Sequence, residues 1–295
     1  MKRIVICICL LARAGTNLFS EQAAVLKPSG PYLGQKPPGM LPEQFGLGMI
    51  DDNERVFAIS FSPDGKECFY TKSFETNTIM TAKEVNGQWT RPAIADFSGK
   101  FFDFEPHLVP DGNKMIFGSM RPLPEMTEAS GLHQWMIEKT NDGWSKPKPM
   151  ASPFRDGFCM YVSVVNNGNI YFTGEDGIYM SKYSNGKYLQ PEKLGDNINR
   201  LQYAAHPFVG PDESYLIYDA QPEEGNADLF ISFKEEDQTW GKSVSLGEKF
   251  NTELNDMTAF ISRDGKYFFF SRLSKGTGDI FWVDAKIIDE MRPKK

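Results

Sequence analysis

Cysteine and histidine are scarce in this chain of 295 residues, which carries four of the first and three of the second. Cys7 and Cys9 fall in the first ten residues, leaving Cys68 and Cys159 beyond. Two cysteines do not make a disulfide framework, and no CxxC pair suggests zinc. Both lie in strand-like text and read as small buried apolar side chains. Positive charge is short as well: 32 Lys and Arg stand against 39 Asp and Glu, a formal net charge of −7. That balance offers no basic face for a phosphate backbone, so no nucleic acid is expected as partner. Beyond the N-terminus no apolar run approaches the ~18 residues needed to span a bilayer. Familiar catalytic signatures are missing too: there is no GxSxG elbow, no P-loop, no GxGxxG opening a helix and no HExxH. No cofactor is therefore expected, and no metal is assigned.

The first residues have the pattern of a secretory signal. Lys2 and Arg3 precede the apolar stretch Ile4 to Leu11, and cleavage is expected after Ala14 or Ser20. Residues 1–20 are read as the signal peptide, 21–40 as an N-terminal extension, 41–288 as the folded domain and 289–295 as a tail. The expected location is periplasmic or extracellular, with no membrane insertion after cleavage and a monomeric state.

What the chain has in abundance is aromatic side chains, 13% of residues, together with 26 Gly and 19 Pro. Their arrangement is repetitive. Five times an apolar strand meets a Pro-Asp-Gly-type turn and returns as an aromatic strand, with turn residues Asp64, Asp111, Asn167, Asp212 and Asp264. Asp or Asn hydrogen-bonds its own backbone at such a turn, and Gly after it accepts positive φ, so the flanking strands pair antiparallel. Each copy continues into a third strand, and four reach a fourth. In the fifth no fourth strand follows Trp282, and the text PEQFGLGMI, residues 42–50, is expected to supply it. No segment carries a sustained 3.6-residue apolar stripe. The fold class is therefore all-β: a five-bladed β-propeller of four-stranded antiparallel blades, closed by an N-terminal strand completing the last blade.

The turns SPDGK, VPDGN, GPDES and SRDGK, with partners such as DLFIS and GWSKP, resemble the Tol-type, Pro-Asp-Gly class of WD-like propeller repeats, which includes the TolB propeller. The resemblance covers about residues 40 to 285. It implies a propeller and, by analogy, an exported protein; it implies no particular activity. Asn166-Asn167-Gly168 in the third copy departs from the motif but still makes a turn.

Loops between second and third strands are long and variable, so recognition is expected on the face that carries them, around the mouth of the central channel. Aligned on their turns, the copies place Ala58, Glu105, Tyr161, His206 and Thr258 at one inner-strand position. Asp103 and Asp256 fall two residues earlier, His107 two later, and Arg121, Asp219 and Arg272 where second strands end. Candidate catalytic groups are Glu105, Asp103, Asp256 and His206. Candidate ligand-binding residues are Glu105, His107, Arg121, Tyr161, His206, Asp219 and Arg272. Each also has a structural reading, because buried polar groups at strand ends hydrogen-bond neighbouring blades. Trp89, Trp144 and Trp240 recur at one repeat position and read as packing, whereas Trp135, after the longest loop, reads as a candidate ligand contact. The expected function is binding of a glycan, peptide or protein ligand at the channel mouth. The alternatives are a carbohydrate-active hydrolase or lyase using the acidic and His residues, or an envelope scaffold resembling TolB.

Overall fold

The computed structural model describes residues 28–50, 54–73, 75–128, 131–222 and 225–293. The expected signal peptide lies outside them. Among the described residues the secondary structure is almost wholly strand, with two short α-helices, Asp196–Asn199 and Ile287–Met291, and one 3-10 turn, Tyr32–Gly34.

Each of the five copies folds as an antiparallel meander. The innermost strands are Arg55–Phe61, Asp103–Leu108, Met160–Val164, Gln202–Val209 and Asn255–Ile261. At every hairpin between first and second strands an Asp or Asn side chain accepts the backbone N–H two residues on, at 2.8–3.2 Å. Gly65, Gly112, Gly168 and Gly265 follow with φ between 68° and 88°. Glu213 takes the same place in the fourth copy with φ 60°.

Outer strands in the first four copies are short: Ala93–Ile94, Lys148–Pro149, Glu192–Lys193 and Val244–Ser245. The fifth copy ends at Gly278–Asp284, and its outer strand is Glu43–Gln44, which pairs antiparallel with Trp282 and Phe281. Phe45, fully buried, then packs edge-on against Phe61, Phe269 and Trp282. The inner strands touch in a cycle: first to second, second to third, third to fourth, fourth to fifth, and fifth back to first.

The N-terminal extension also holds a place in the core. Tyr32 is 6% exposed and lies edge-on to Phe61 and Tyr267 at 5.1 and 4.9 Å. Its backbone N–H donates to Gly65 O. A Cβ at Gly65 would come within 2.7 Å of the Tyr32 ring, so this glycine answers both to its positive φ and to the tyrosine above it. Trp89 Nε1 donates to Gly30 O at 2.7 Å. The extension thus covers the face of the hairpin turns, opposite the face with the long loops.

Candidate functional site

The five residues aligned from sequence share one backbone conformation. Ala58, Glu105, Tyr161, His206 and Thr258 all have φ between 46° and 55°, and each sits where its strand pair shifts register. L-residues in this region cost roughly 1–2 kcal/mol each. The bulge turns each N–H outward to the preceding copy. Glu105 N donates to Thr71 Oγ1, His206 N to Thr173 Oγ1, Thr258 N to Asp219 Oδ1 and Ala58 N to Ser271 Oγ, at 2.8–3.1 Å. The equivalent acceptor position for Tyr161 is Gly118, which has no side chain; the Tyr161 backbone instead favours the ionised form of the Glu105 carboxyl.

Side chains from the same positions cross the axis between copies that are not neighbours. Glu105 Oε1 of the second copy lies 3.3 Å from His206 Nε2 of the fourth. Tyr161 Oη of the third donates to Ala259 O of the fifth at 2.7 Å, and its ring lies edge-on to His206. Farther toward the hairpin-turn face, Arg263 of the fifth copy donates to Leu108 O of the second. These crossings seal the axis, so a ligand reaches it from one face.

His206 Nδ1 lies 2.9 Å from both carboxylate oxygens of Asp219. Burial alone would lower the histidine pKa, but the charge and hydrogen bond of Asp219, followed by those of Glu105, push it up to about 10. His206 is therefore an imidazolium, donating from Nδ1 to Asp219 and ion-paired through Nε2 with Glu105. Burial raises the Glu105 carboxyl above the ordinary glutamate range, with His206 opposing. Its Oε2 is buried without a hydrogen-bond partner.

The other sequence-selected residues are placed apart from this group. Asp103 is fully buried and bound to Arg121 at 2.8 Å, with Ser119 and Ser98 hydroxyls on its two oxygens. Arg121 stacks over Phe117 and Trp135 and donates to Phe97 O. Asp256 repeats the device with Arg272 at 2.7 Å, and Arg272 donates to Phe250 O. Both pairs tie the start of an inner strand to the segment that leads into it. His107 Nε2 accepts Val164 N–H at 3.2 Å; burial, then the Arg263 charge, keep its pKa well below the usual value. Trp135 is 4% exposed beneath Arg121. Trp89 and Trp240 are buried. Among the described residues no group of three His, Cys, Asp or Glu side chains is disposed to hold a metal ion.

Two adjacent hollows, sharing His206 and Met257 in their linings, open on the long-loop face. One, about 200 Å³, lies over Glu105 and His206. The other, about 720 Å³, runs across the third to fifth copies, with His206 and Asp219 on its floor and Phe158, Met160, Tyr203 and Met257 in its walls. Phe158 and Tyr203 in these walls, and Phe102, Met120 and Leu254 beside other strand ends, are 36–76% exposed. All five flank the starts of inner strands or the ends of second strands, and so share this face. Sequence reasoning missed these five and Arg55, which lines the smaller hollow. The five carried a signal, since a large apolar residue beside each strand entry recurs in four copies.

No family model and no curated protein matches the chain. Among solved structures it is similar to a TolB-type protein from Agrobacterium tumefaciens, with a TM-score of 0.51 and 14% identity over 81% of this chain and 79% of that one. TolB from Acinetobacter baumannii gives 0.49 and 17% identity over 79% of this chain and 57% of that one. A sialidase from Trypanosoma rangeli gives 0.45 and 12% over 87% and 59%. At 14% identity the first likeness speaks for fold alone, and the scaffold is a TolB-like β-propeller.

Proposed function

We propose that this is an exported, five-bladed propeller, each blade a four-stranded meander and the last completed by Glu43–Gln44, that binds a peptide or a segment of another protein at its long-loop face without turning it over. The observation that carries the reading is a cleft with a polar floor, walled by the exposed side chains of Phe158 and Tyr203, on a face that also exposes Phe102, Met120 and Leu254. Aromatic residues and methionine are enriched at such contacts, the aromatics for area and the thioethers for adaptability. The indole rings of Trp89, Trp135 and Trp240, which could have offered a glycan a broad platform, are committed to the core. Export rests on the leader-like first residues and accords with a TolB-like scaffold.

A hydrolytic reading draws on Glu105, whose burial favours the protonated acid. It also needs a second free carboxylate, and Asp103 and Asp256 are engaged by Arg121 and Arg272. Selection of displayed peptides on the purified protein tests the binding reading. Tyr203→Ser or Phe158→Ser is expected to weaken the selected peptides about tenfold, whereas Val85→Ser, on an exposed strand end remote from the cleft, leaves them unchanged. Peptides indifferent to both cleft substitutions, or turnover of a glycan abolished by Glu105→Gln, would overturn it.

A further inference from the structure

The smaller hollow holds a chemistry that peptide binding in general leaves unassigned. Arg55, Phe57, Phe104, Glu105, Thr258 and Leu273 are part of its lining. Two buried polar atoms there have no hydrogen-bond partner, Glu105 Oε2 and Arg55 Nε, and Glu105 is only 5% exposed. The His206 imidazolium lies closer to Asp219, at 2.9 Å, than to Glu105, at 3.3 Å. One cation is thus shared unequally between two carboxylates. Among the described residues His206 is the one ionic partner of Glu105. Arg55 also lines the hollow, and what Glu105 Oε2 lacks is a hydrogen-bond donor.

We infer that this hollow receives a primary ammonium group of the peptide ligand, either its free N-terminus or a lysine side chain, with Glu105 Oε2 as the acceptor. The inference rests on the peptide reading of the same face. An ammonium is a compact donor that forms a charge-assisted bond to an acceptor otherwise left unmade. The rings of Phe57 and Phe104 add quadrupole attraction for the cation, and Leu273 and Met257 line the path of an alkyl stem. Arg55, whose guanidinium lies 5.8 Å from the Phe57 ring centroid, presents its unused N–H to a carbonyl oxygen of the same ligand. The seal across the axis stops the chain end or side chain at this depth.

Butylammonium chloride is the simplest probe, with butan-1-ol as its neutral counterpart, read by the ring resonances of the three histidines. Butylammonium is expected to shift His206 and leave His107, beyond the seal, unmoved, while butan-1-ol at equal concentration does neither. Glu105→Gln is expected to weaken butylammonium about tenfold. Equal effects of amine and alcohol on the unsubstituted protein, or no shift of His206, overturn the inference whether or not the variant folds. Three peptide amides separate the two sources: Ala-Phe-Met-Ala with a free amine, acetyl-Lys-Phe-Met-Ala, and acetyl-Ala-Phe-Met-Ala. One of the first two should bind about tenfold tighter than the third. If all three bind alike and all depend on Tyr203, the face binds peptides and the ammonium inference fails. If butylammonium binds and no peptide does, the amine site stands and the peptide reading falls.

Discussion

His107 and His206 occupy inner strands two copies apart, yet their surroundings drive them in opposite directions. His206 is held as a cation by Asp219 and Glu105. His107 is buried beside Arg263 and stays neutral, accepting a backbone N–H. A raised folded pKa contributes stability that is fully present below the unfolded value of about 6.5 and is lost as pH climbs toward about 10. A lowered one contributes stability present above about 6.5 and lost as pH falls. Urea midpoints across pH 5 to 10 should therefore lose their alkaline decline in His206→Gln and part of their acid decline in His107→Gln. Nitrogen-15 spectra at pH 8 should show His206 doubly protonated and His107 singly. Asp103 makes a companion case. Removing it leaves the Arg121 guanidinium buried and unpaired, and Asp103→Ala should cost about 3–5 kcal/mol in urea unfolding. Lys114→Ala, which breaks a half-exposed pair with Glu138, should cost less than about 1 kcal/mol.

The unit of construction is the inner strand with a left-handed residue in its middle. The conformation is sterically dear for any L-residue, and the inter-copy hydrogen bond from its N–H offsets part of the strain. At Ala58, whose side chain makes no polar contact, glycine should relieve about 1–2 kcal/mol of strain while adding roughly 0.5–1 kcal/mol of chain entropy cost. Ala58→Gly is thus expected to be neutral or slightly stabilising, and Ala58→Val, β-branched at φ 54°, clearly destabilising. Thr71→Val strands the Glu105 N–H and should cost about 1–3 kcal/mol by chemical denaturation.

The hairpins were legible because Asp64, Asp111, Asn167, Asp212 and Asp264 carry the chemistry of a turn in their own side chains. The alignment they set also found the five bulge residues. That these are left-handed was not legible, since Ala, Glu, Tyr, His and Thr announce no such conformation and their N–H partners lie in another copy. For the same reason the Glu105–His206–Asp219 group could be gathered from the sequence, but the separate engagement of Asp103 and Asp256 could not. Tyr32 went unread because a lone aromatic in a Pro- and Gly-rich segment has no period to mark it.

For the molecule as a whole, the cycle of inner-strand contacts makes each sheet lean on two others. The outer strand Glu43–Gln44 and the side chain of Phe45 hold the junction of first and last copies together. Phe45→Ala should cost about 3–5 kcal/mol, as expected for truncating a large buried aromatic. Deletion of residues 1–45 exposes the Gly278–Asp284 edge, and the product should elute as higher oligomers in size-exclusion chromatography.

The same clasp has a timetable. Glu43 leaves the ribosome some 240 residues ahead of its partner Trp282, an interval on the order of 10–50 s at ordinary synthesis rates. Until the last sheet is made, the first-made strand has nothing to clasp, so the circle stays open until synthesis is almost complete.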